Sequence, residues 1–314
     1  MFSRIIYIDF LKLFAIFLVL WGHAIMHFQP DHENSLCFQF IYSFHMPLFM
    51  MLSGYFAKSS MSLSLKEFIP KKFRQLLLPC ISWAIVCWLL ISSGLINGKF
   101  HLNIHSLFQG WLGMVDNFWF LKSCFVCYFI SWICYRFGKY KTLAFIIACI
   151  GCSQLVRFNL NMMFPCFIFG MFLRNNNRIE NASNSILIAC IVSFLVMLAY
   201  RIIGHCDIYV YRLILGLLGA YCCFMVFKKA FVHTTSSRFT TVLAKMGGAT
   251  LAIYVLQAII LEYIMPQYIS FSSLPLYAIS LLMPVFAFGM LLLLYAIYRM
   301  INTSQILSLL LFGK

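Results

Sequence analysis

The sequence predicts an all-α protein that crosses a membrane about ten times. Of its 314 residues, 63% are hydrophobic and only 10% are charged. The apolar residues form runs close to the roughly 20 residues that an α-helix needs to cross a bilayer. The polar stretches between them, the longest at 58–75 and 228–248, are too short to form separate domains. We therefore expect one integral-membrane domain over residues 1–314.

Dividing the apolar runs at polar and helix-breaking residues gives the individual spans. They are expected at 5–27, 37–57, 76–96, 118–136, 143–157, 161–174, 186–204, 208–227, 249–267 and 276–300. The fifth and sixth spans are short and almost contiguous, so a strongly tilted or a re-entrant path is open for both.

The positive charge indicates the orientation. The formal net charge is +15, and most of the cations fall in alternate loops together with both termini: Arg4, Lys58, Lys66, Lys71, Lys72, Arg74, Arg136, Lys139, Lys141, Arg174, Arg178, Lys228, Lys229, Arg238, Lys245, Arg299 and Lys314. The other loops have few cations and most of the acids: Lys99, Arg157, Arg201 and Arg212 with Asp31, Glu33, Asp116 and Asp207. The positive-inside rule then places both termini in the cytoplasm of a cell with this protein in its inner or plasma membrane. Because topology accounts for the charge, no nucleic-acid partner is expected.

The first span contains ionisable residues that a lipid-facing helix would avoid. Asp9, Lys12 and His23 interrupt its apolar run, which also argues for a retained span rather than a signal peptide. A charge at the centre of a bilayer costs about 2.5 to 3.5 kcal/mol on insertion scales, so these groups are expected to face protein or water. Asp9 and Lys12 have the spacing of an ion pair. Lys12 and His23 lie on one helical face, about 16 Å apart along the axis. This helix is predicted to form the polar wall of an internal cavity.

The second span contains a further histidine. His45 is expected about 12 Å below the outer end of this helix, and Pro47 and the Ser53-Gly54 pair are expected to kink or loosen it. A single membrane histidine often only bonds to a neighbouring helix. A second imidazole, His23, at a similar depth favours a functional role.

A basic segment, KEFIPKKFRQLLLP, precedes the third span and ends in Pro79, which is expected to stop its helix. Lys71 and Arg74 lie one turn apart in it. They either hold the segment in the headgroup region or bind phosphates, and the sequence leaves both interpretations open.

Polar residues also occur in two later spans. Trp119 and Lys122 lie near the outer end of the fourth span, where interfacial anchoring accounts for them. Glu262, with Gln257 nearby, is either a functional residue or the partner of a cation such as Lys122. The 13 cysteines lie mostly in apolar runs, and the pairs Cys124-x2-Cys127 and Cys149-x2-Cys152 fall within spans rather than zinc knuckles, so no metal site is expected.

Several of these segments together resemble the acyltransferase family 3 membrane O-acetyltransferases, which modify surface polysaccharides, and in particular the fucose 4-O-acetylase-like branch. The segments on which this resemblance is based are Arg4…Asp9-x-x-Lys12-x10-His23, FHMPLFMMLSGY at 44–55, KKFRQLLLP at 71–79, NFWFLK at 117–122 and PCFIFGMFLRN at 165–175. Two departures stand out. Lys12 replaces a frequent arginine, and Gln257 lies where the family often has a histidine.

The resemblance implies transfer of an acyl group, usually acetyl from cytoplasmic acetyl-CoA, to a sugar hydroxyl of a surface polysaccharide or a glycolipid. Acetyl-CoA would be a donor substrate, and no tightly bound cofactor is expected. Lys71, Arg74 and Lys12 would hold the donor, and Asp9 would neutralise or orient Lys12. His23 would act as general base, while His45, as a second catalytic residue, or Trp119 would position the acceptor or polarise the carbonyl. An acyl-His23 intermediate, the acyl chain, the acceptor sugar and the oligomeric state stay open.

The main alternative is a proton-coupled transporter of small molecules, in which Asp9, Lys12, His23 and Glu262 line a path through the helices. The absence of a detectable inverted repeat argues against it. A second alternative is an enzyme that transfers succinyl or another acyl chain.

Overall fold

The structure is a computed structural model that describes residues 5–95, 113, 115–156, 159–204, 206–235, 237–271 and 274–314. Its helices are α1 (Ile6–Phe28), α2 (Leu36–Tyr55), α3 (Leu65–Ser92), α4 (Trp119–Arg136), α5 (Lys141–Ser153), α6 (Leu160–Asn175), α7 (Asn184–Gly204), α8 (Tyr209–Phe231), α9 (Arg238–Gly247), α10 (Thr250–Tyr268), α11 (Leu276–Ile301) and α12 (Gln305–Phe312). Single helical turns at Lys58–Met61 and Asn177–Glu180 follow α2 and α6.

The predicted fold class is confirmed. Within the described ranges the chain is helical and contains no strand. Seven of the described helices are long and apolar enough to cross a membrane, namely α1, α2, α3, α7, α8, α10 and α11. Helices α5 and α6, with 13 and 16 residues, are the short elements expected as the fifth and sixth spans. Ten spans and cytoplasmic termini stay predictions, and three of the cations used to orient the chain, Arg4, Lys99 and Arg157, lie outside the described residues.

The expectation that Pro79 stops a separate amphipathic helix is wrong. Helix α3 continues through this proline as one helix of 28 residues. A π turn at Phe73–Leu77 precedes Pro79, and the Leu78 N–H bonds to the Phe73 carbonyl five residues back. The proline therefore lies in the first α-helical turn after the π turn, a position where its missing N–H costs little.

The helices form two compact units, each built from three separate segments of the chain. Unit 1 contains 1–18, 33–63 and 126–248, and unit 2 contains 19–32, 64–125 and 249–314. Helices α1 and α4 each contribute to both units.

Unit 1 is organised by close packing of α2 against α6 and α8. A Cβ atom on Gly54 would lie 1.9 Å from the Phe167 carbonyl oxygen, and one on Gly170 would lie 1.9 Å from that of Met51. No side chain fits at either position. Helices in lipid pack through such small residues, because lipid tails are as apolar as the helices and backbone approach supplies the attraction.

Helix α2 is continuous over Leu36–Tyr55, and the predicted kink or loosening at Pro47 and Ser53-Gly54 stays a prediction. Proline leaves the carbonyl four residues earlier without its helical donor. That carbonyl, of Ser43, lies against Gly216 of α8, where a Cβ would be 3.1 Å from the oxygen and 2.8 Å from the Pro47 ring. The proline thus lies in a close helix–helix contact between α2 and α8.

Unit 2 is held by aromatic contacts and by a bond to the C-terminal helix. The rings of Phe28, Phe271 and Phe286 form three edge-to-face pairs with centroids 5.4 to 5.9 Å apart. Trp83 of α3 donates its indole N–H to the Leu311 carbonyl at the end of α12, at 2.8 Å. Helix α10, which also packs against α3, α11 and α12, lies at the centre of this unit.

We predict that Gly170→Ala lowers the free energy of unfolding by about 1–3 kcal/mol or more, because the new methyl group forces α2 and α6 apart. Gly289→Ala is the matched control. Gly289 is a helical glycine of α11 with nothing within 4 Å of an added Cβ, so alanine there should leave stability unchanged or raise it. Thermal unfolding of both purified variants in nanodiscs measures this, and equal stabilities would contradict the packing argument.

Candidate functional site

The first predicted site residue, His23, lies beside a carboxylate. In unit 2 its Nδ1 is 3.3 Å from Glu262 Oε1, and the two side chains are 20% and 23% exposed. A carboxylate at this distance stabilises the protonated form of the imidazole. Of the two alternatives left open for Glu262, the structure does not have the pairing with Lys122, which pairs instead with Asp116, and Glu262 faces His23.

An irregular turn of α10 sets the orientation of the Glu262 side chain. Residues Ile260–Ile264 form a π turn with Glu262 inside it. In a regular helix, side chains five residues apart point about 140° away from each other, and the wider turn reduces that angle. Buried Gln257 consequently donates its Nε2–H to Glu262 Oε1 at 3.4 Å. The residue that departs from the family pattern is therefore a support for the carboxylate.

A second imidazole lies next to His23, and the sequence reasoning missed it. His27 is one helical turn further along α1, and its ring stacks on that of His23 with centroids 6.2 Å apart. Its Nε2 is buried and has no hydrogen-bond partner among the described residues. The i,i+4 spacing of two histidines on one helix was the available signal.

The NFWFLK segment reaches the same part of unit 2. Asn117 donates its amide N–H to the Tyr263 hydroxyl, next to Glu262. Phe120 packs edge-on against Tyr254 of α10 with centroids 5.8 Å apart. Trp119 is half-buried at the start of α4. This segment therefore supports the helix that presents the carboxylate.

The predicted phosphate-binding pair lies at the surface of unit 2. Lys71 and Arg74 are both exposed on α3, Arg74 within its π turn. Neither side chain has a hydrogen bond or ion pair to another described residue, so both remain available to an anionic ligand. Between them Lys72 is buried and donates to Gln75 Oε1 at 3.3 Å.

Asp9 and Lys12 belong to unit 1. Asp9 is buried, and a Cβ on Gly247 would lie 1.9 Å from the Asp9 carbonyl oxygen, so α1 and the end of α9 meet backbone to backbone. The Lys12 ammonium lies 4.8 Å above the centre of the Phe56 ring, a cation–π contact. Their predicted roles toward a substrate stay predictions.

His45, also in unit 1, is buried and bonds within its own helix. Its Nδ1 lies 2.8 Å from the Ile41 carbonyl oxygen, which accepts the ring N–H. Its ring packs edge-on against Tyr42 with centroids 4.7 Å apart. The bond expected from a purely structural histidine was to a neighbouring helix, and the structure has it to α2 itself.

A buried charged cluster in unit 1, here called the Glu180 cluster, was not predicted. Glu180 accepts hydrogen bonds from the Tyr55 hydroxyl at 2.7 Å and the Lys228 ammonium at 3.0 Å. Arg174 donates to the Tyr55 hydroxyl at 2.9 Å and lies 3.9 Å from the carboxylate. Tyr55 lies at the end of the SGY segment, and Arg174 lies near the end of the FGMFLRN segment. These polar residues at the ends of two apolar segments were the available signal.

The described residues contain no group of three or more His, Cys, Asp or Glu side chains able to hold a metal ion. All 13 cysteines are free thiols.

Comparison with known families identifies the chain. The model of the family described as "Acyltransferase domain" matches residues 5–307. The chain belongs to this acyltransferase family. The resemblance drawn from the sequence segments is thereby confirmed at the level of the family.

Two curated relatives of this acyltransferase family member are each called "Nodulation protein NolL". The protein of Mesorhizobium japonicum is 27% identical over 142 residues, covering 44% of this chain and 38% of the relative. That of Sinorhizobium fredii is 27% identical over 197 residues, covering 59% of this chain and 52% of the relative. The matches thus span about half or less of the length of these curated relatives. No solved structure matches the chain.

We predict that Glu180→Gln destabilises this acyltransferase family member by about 3 kcal/mol, because Lys228 and Arg174 lose their buried counter-charge. The amide oxygen can still accept from Tyr55, which holds the effect at the lower end of the range. Asp31→Asn is the matched control, since Asp31 is exposed and its positive φ of 49° suits asparagine. Thermal unfolding in nanodiscs measures both, and an unchanged midpoint for Glu180→Gln would remove the cluster's structural role.

Proposed function

We propose that the protein transfers an acyl group, most simply acetyl from acetyl-CoA on the cytoplasmic side, to a hydroxyl of a cell-surface or exported sugar. The observation that carries this proposal is the His23–Glu262 contact of 3.3 Å in a chain of an acyltransferase family. An imidazole next to a carboxylate is the arrangement that general-base catalysis of acyl transfer requires.

The proposed step follows from the orientation of the imidazole. Because Nδ1 faces Glu262, Nε2 is the nitrogen left to accept a proton from the acceptor hydroxyl. The hydroxyl oxygen then attacks the thioester carbonyl carbon, so that a C–O bond forms and the C–S bond breaks. The proton taken by His23 is returned to the departing thiolate, which leaves as the free thiol of CoA. Glu262 stabilises the imidazolium between these two proton transfers.

The low dielectric around these residues makes the carboxylate effective. Both side chains are about four-fifths buried, and water screens a charge pair much less in such a place than at a surface. Gln257 and the π turn hold Glu262 in direction, so little reorganisation is needed when charge develops on His23.

The donor is assigned to α3. Lys71 and Arg74 are exposed and unpaired among the described residues, and the 3′-phosphate and pyrophosphate of CoA are the groups that such cations bind. The proposal includes four further residues. Lys12 would also contact the donor, with Asp9 neutralising its charge. Trp119 and His45 would position the acceptor.

The acceptor class rests on the resemblance to polysaccharide O-acetyltransferases. The relatives' names tie those proteins to nodulation and do not state what they modify. A polysaccharide, a glycolipid intermediate and a free oligosaccharide all present the hydroxyl that the proposed step needs.

We predict that His23→Ala lowers acyl transfer by about 10²–10⁴-fold, which is the usual contribution of a general base. His233→Ala is the matched control, because His233 is an exposed histidine outside the site. Mass spectrometry of surface glycans from cells that express each variant at equal membrane levels measures the transferred groups. Full acylation with His23→Ala would contradict the proposal. Glycans unchanged by loss of the whole gene, with proton-coupled solute uptake by the purified protein, would favour the transporter.

We predict that Glu262→Gln lowers kcat by about 10²-fold and leaves the KM for acetyl-CoA unchanged, because the amide keeps the shape but no longer stabilises imidazolium. Asp31→Asn again controls for loss of a carboxylate elsewhere. Steady-state release of CoA thiol in nanodiscs provides both constants. A raised KM with unchanged kcat would instead make Glu262 a donor-binding residue.

A further inference from the structure

Unit 1 contains a polar cavity that none of the predicted site residues lines. Its volume is about 430 Å³, within the range of small-molecule sites. The lining residues come from the start of α2 with the turn before it, and from the adjoining ends of α7 and α8: Glu33, Asn34, Phe38, Gln39, Tyr42, Arg201, Ile202, Asp207 and Arg212. The positive-inside rule predicts that this end of the helices lies on the outer side of the membrane.

One wall of the cavity is aromatic. Phe38 and Tyr42 lie one turn apart on α2 and stack with ring centroids 3.9 Å apart and an interplanar angle of 27°. His45 follows on the same helical face and packs edge-on behind Tyr42. The Tyr42 ring is therefore held between two other rings, and its orientation is fixed before any ligand binds. A rigid, amphipathic ring of this kind offers an apolar face and a polar edge.

The opposite wall supplies hydrogen-bonding groups with fixed positions. Arg201 donates to Asp207 Oδ1 at 3.1 Å, which leaves further N–H groups of the guanidinium and the second carboxylate oxygen available. Gln39 donates its amide N–H to the Glu33 carbonyl at 2.8 Å, so its side-chain oxygen is left as an acceptor. The Arg212 side chain has no hydrogen bond or ion pair within the described residues.

The charges of the lining cancel. Arg201 and Arg212 are balanced by Glu33 and Asp207. A strongly anionic ligand would need a net positive wall, and a cation would need the reverse. Alternating donors and acceptors around a neutral lining suit a ligand that has many hydroxyl groups, each of which both donates and accepts.

We infer that this cavity binds a neutral, hydroxyl-rich sugar ring, with the C–H face of the sugar against the aromatic wall formed by Phe38 and Tyr42. Its hydroxyls bond to Asp207, Arg201 and Gln39. This inference goes beyond the proposed function, because it names a separate sugar site in unit 1 and the charge class of its ligand. His45 then acts as a positioning residue that supports Tyr42 from behind.

The test measures sugar binding without any acyl donor, so that it does not depend on catalysis. The purified full-length protein in nanodiscs is titrated with three probes: a neutral methyl hexopyranoside, the corresponding methyl uronate, and inorganic phosphate. Saturation-transfer difference NMR detects millimolar binding of each. The variants are Tyr42→Ala, Asp207→Ala and the control Arg178→Ala, which removes an exposed arginine outside the cavity.

We expect the neutral glycoside to bind the wild type and Arg178→Ala equally, and Tyr42→Ala and Asp207→Ala to weaken that binding at least tenfold. Asp207 is exposed, at 69% of its side chain, so its variant remains a fair test if Tyr42→Ala fails to fold. Preferential binding of the uronate or of phosphate would overturn the neutral class. Glycoside binding unaffected by Asp207→Ala, or no binding of any probe, would overturn the site.

The two proposals fail separately. Acyl transfer that depends on His23, together with sugar binding that ignores the cavity variants, would leave the proposed function intact and remove this inference. Sugar binding at the cavity in a protein that transfers no acyl group would do the reverse.

Discussion

The cost of burying charge in a membrane protein constrains everything else in this structure. An isolated ionised side chain inside a helical bundle is unstable, so each must be given partners. Glu262 has His23 and Gln257, and Glu180 has Tyr55, Arg174 and Lys228. Of these partners, His23, Tyr55 and Lys228 come from distant parts of the chain, so each carboxylate also ties distant segments of its unit together. A buried carboxylate with three polar partners, as at Glu180, is readily explained by stability. A carboxylate facing an imidazole is better explained by chemistry.

The helical class was predictable because it follows from composition and period alone. Apolar runs of spanning length have no stable alternative in lipid, where every backbone N–H and carbonyl must be bonded within the segment. Most helix ends were therefore close to expectation, as for α7 (Asn184–Gly204), expected at 186–204, whereas α3 begins at Leu65 instead of 76. Pro79 was misjudged for a local reason. Its effect depends on the hydrogen-bonding pattern of the preceding turn, and residue types do not reveal a π turn there.

The candidate site was only partly predictable. His23 and Glu262 could each be singled out as costly residues in spans. Their pairing depends on which helices meet, and the only partner that the sequence suggested for Glu262 was a cation such as Lys122. The Glu180 cluster shows the same limit, since Tyr55 and Lys228 look like ordinary interfacial residues until the fold brings them together. Asp9, Lys12 and His45 are placed by the structure without a test of their roles. The close approach of α2 and α6 at Gly54 was missed because a glycine within a helix was interpreted as a flexible point. In the structure its missing side chain lets the two backbones touch.

The π turn at Ile260–Ile264 also bears on how distant homologues are compared. Such a turn arises when one extra residue is accommodated inside an otherwise regular helix. A homologue with an uninterrupted helix at this point would be one residue shorter there, with no change in the loops on either side. An alignment that forbids gaps within helices would then match the wrong position to Glu262, and a shared acidic residue would be scored as lost.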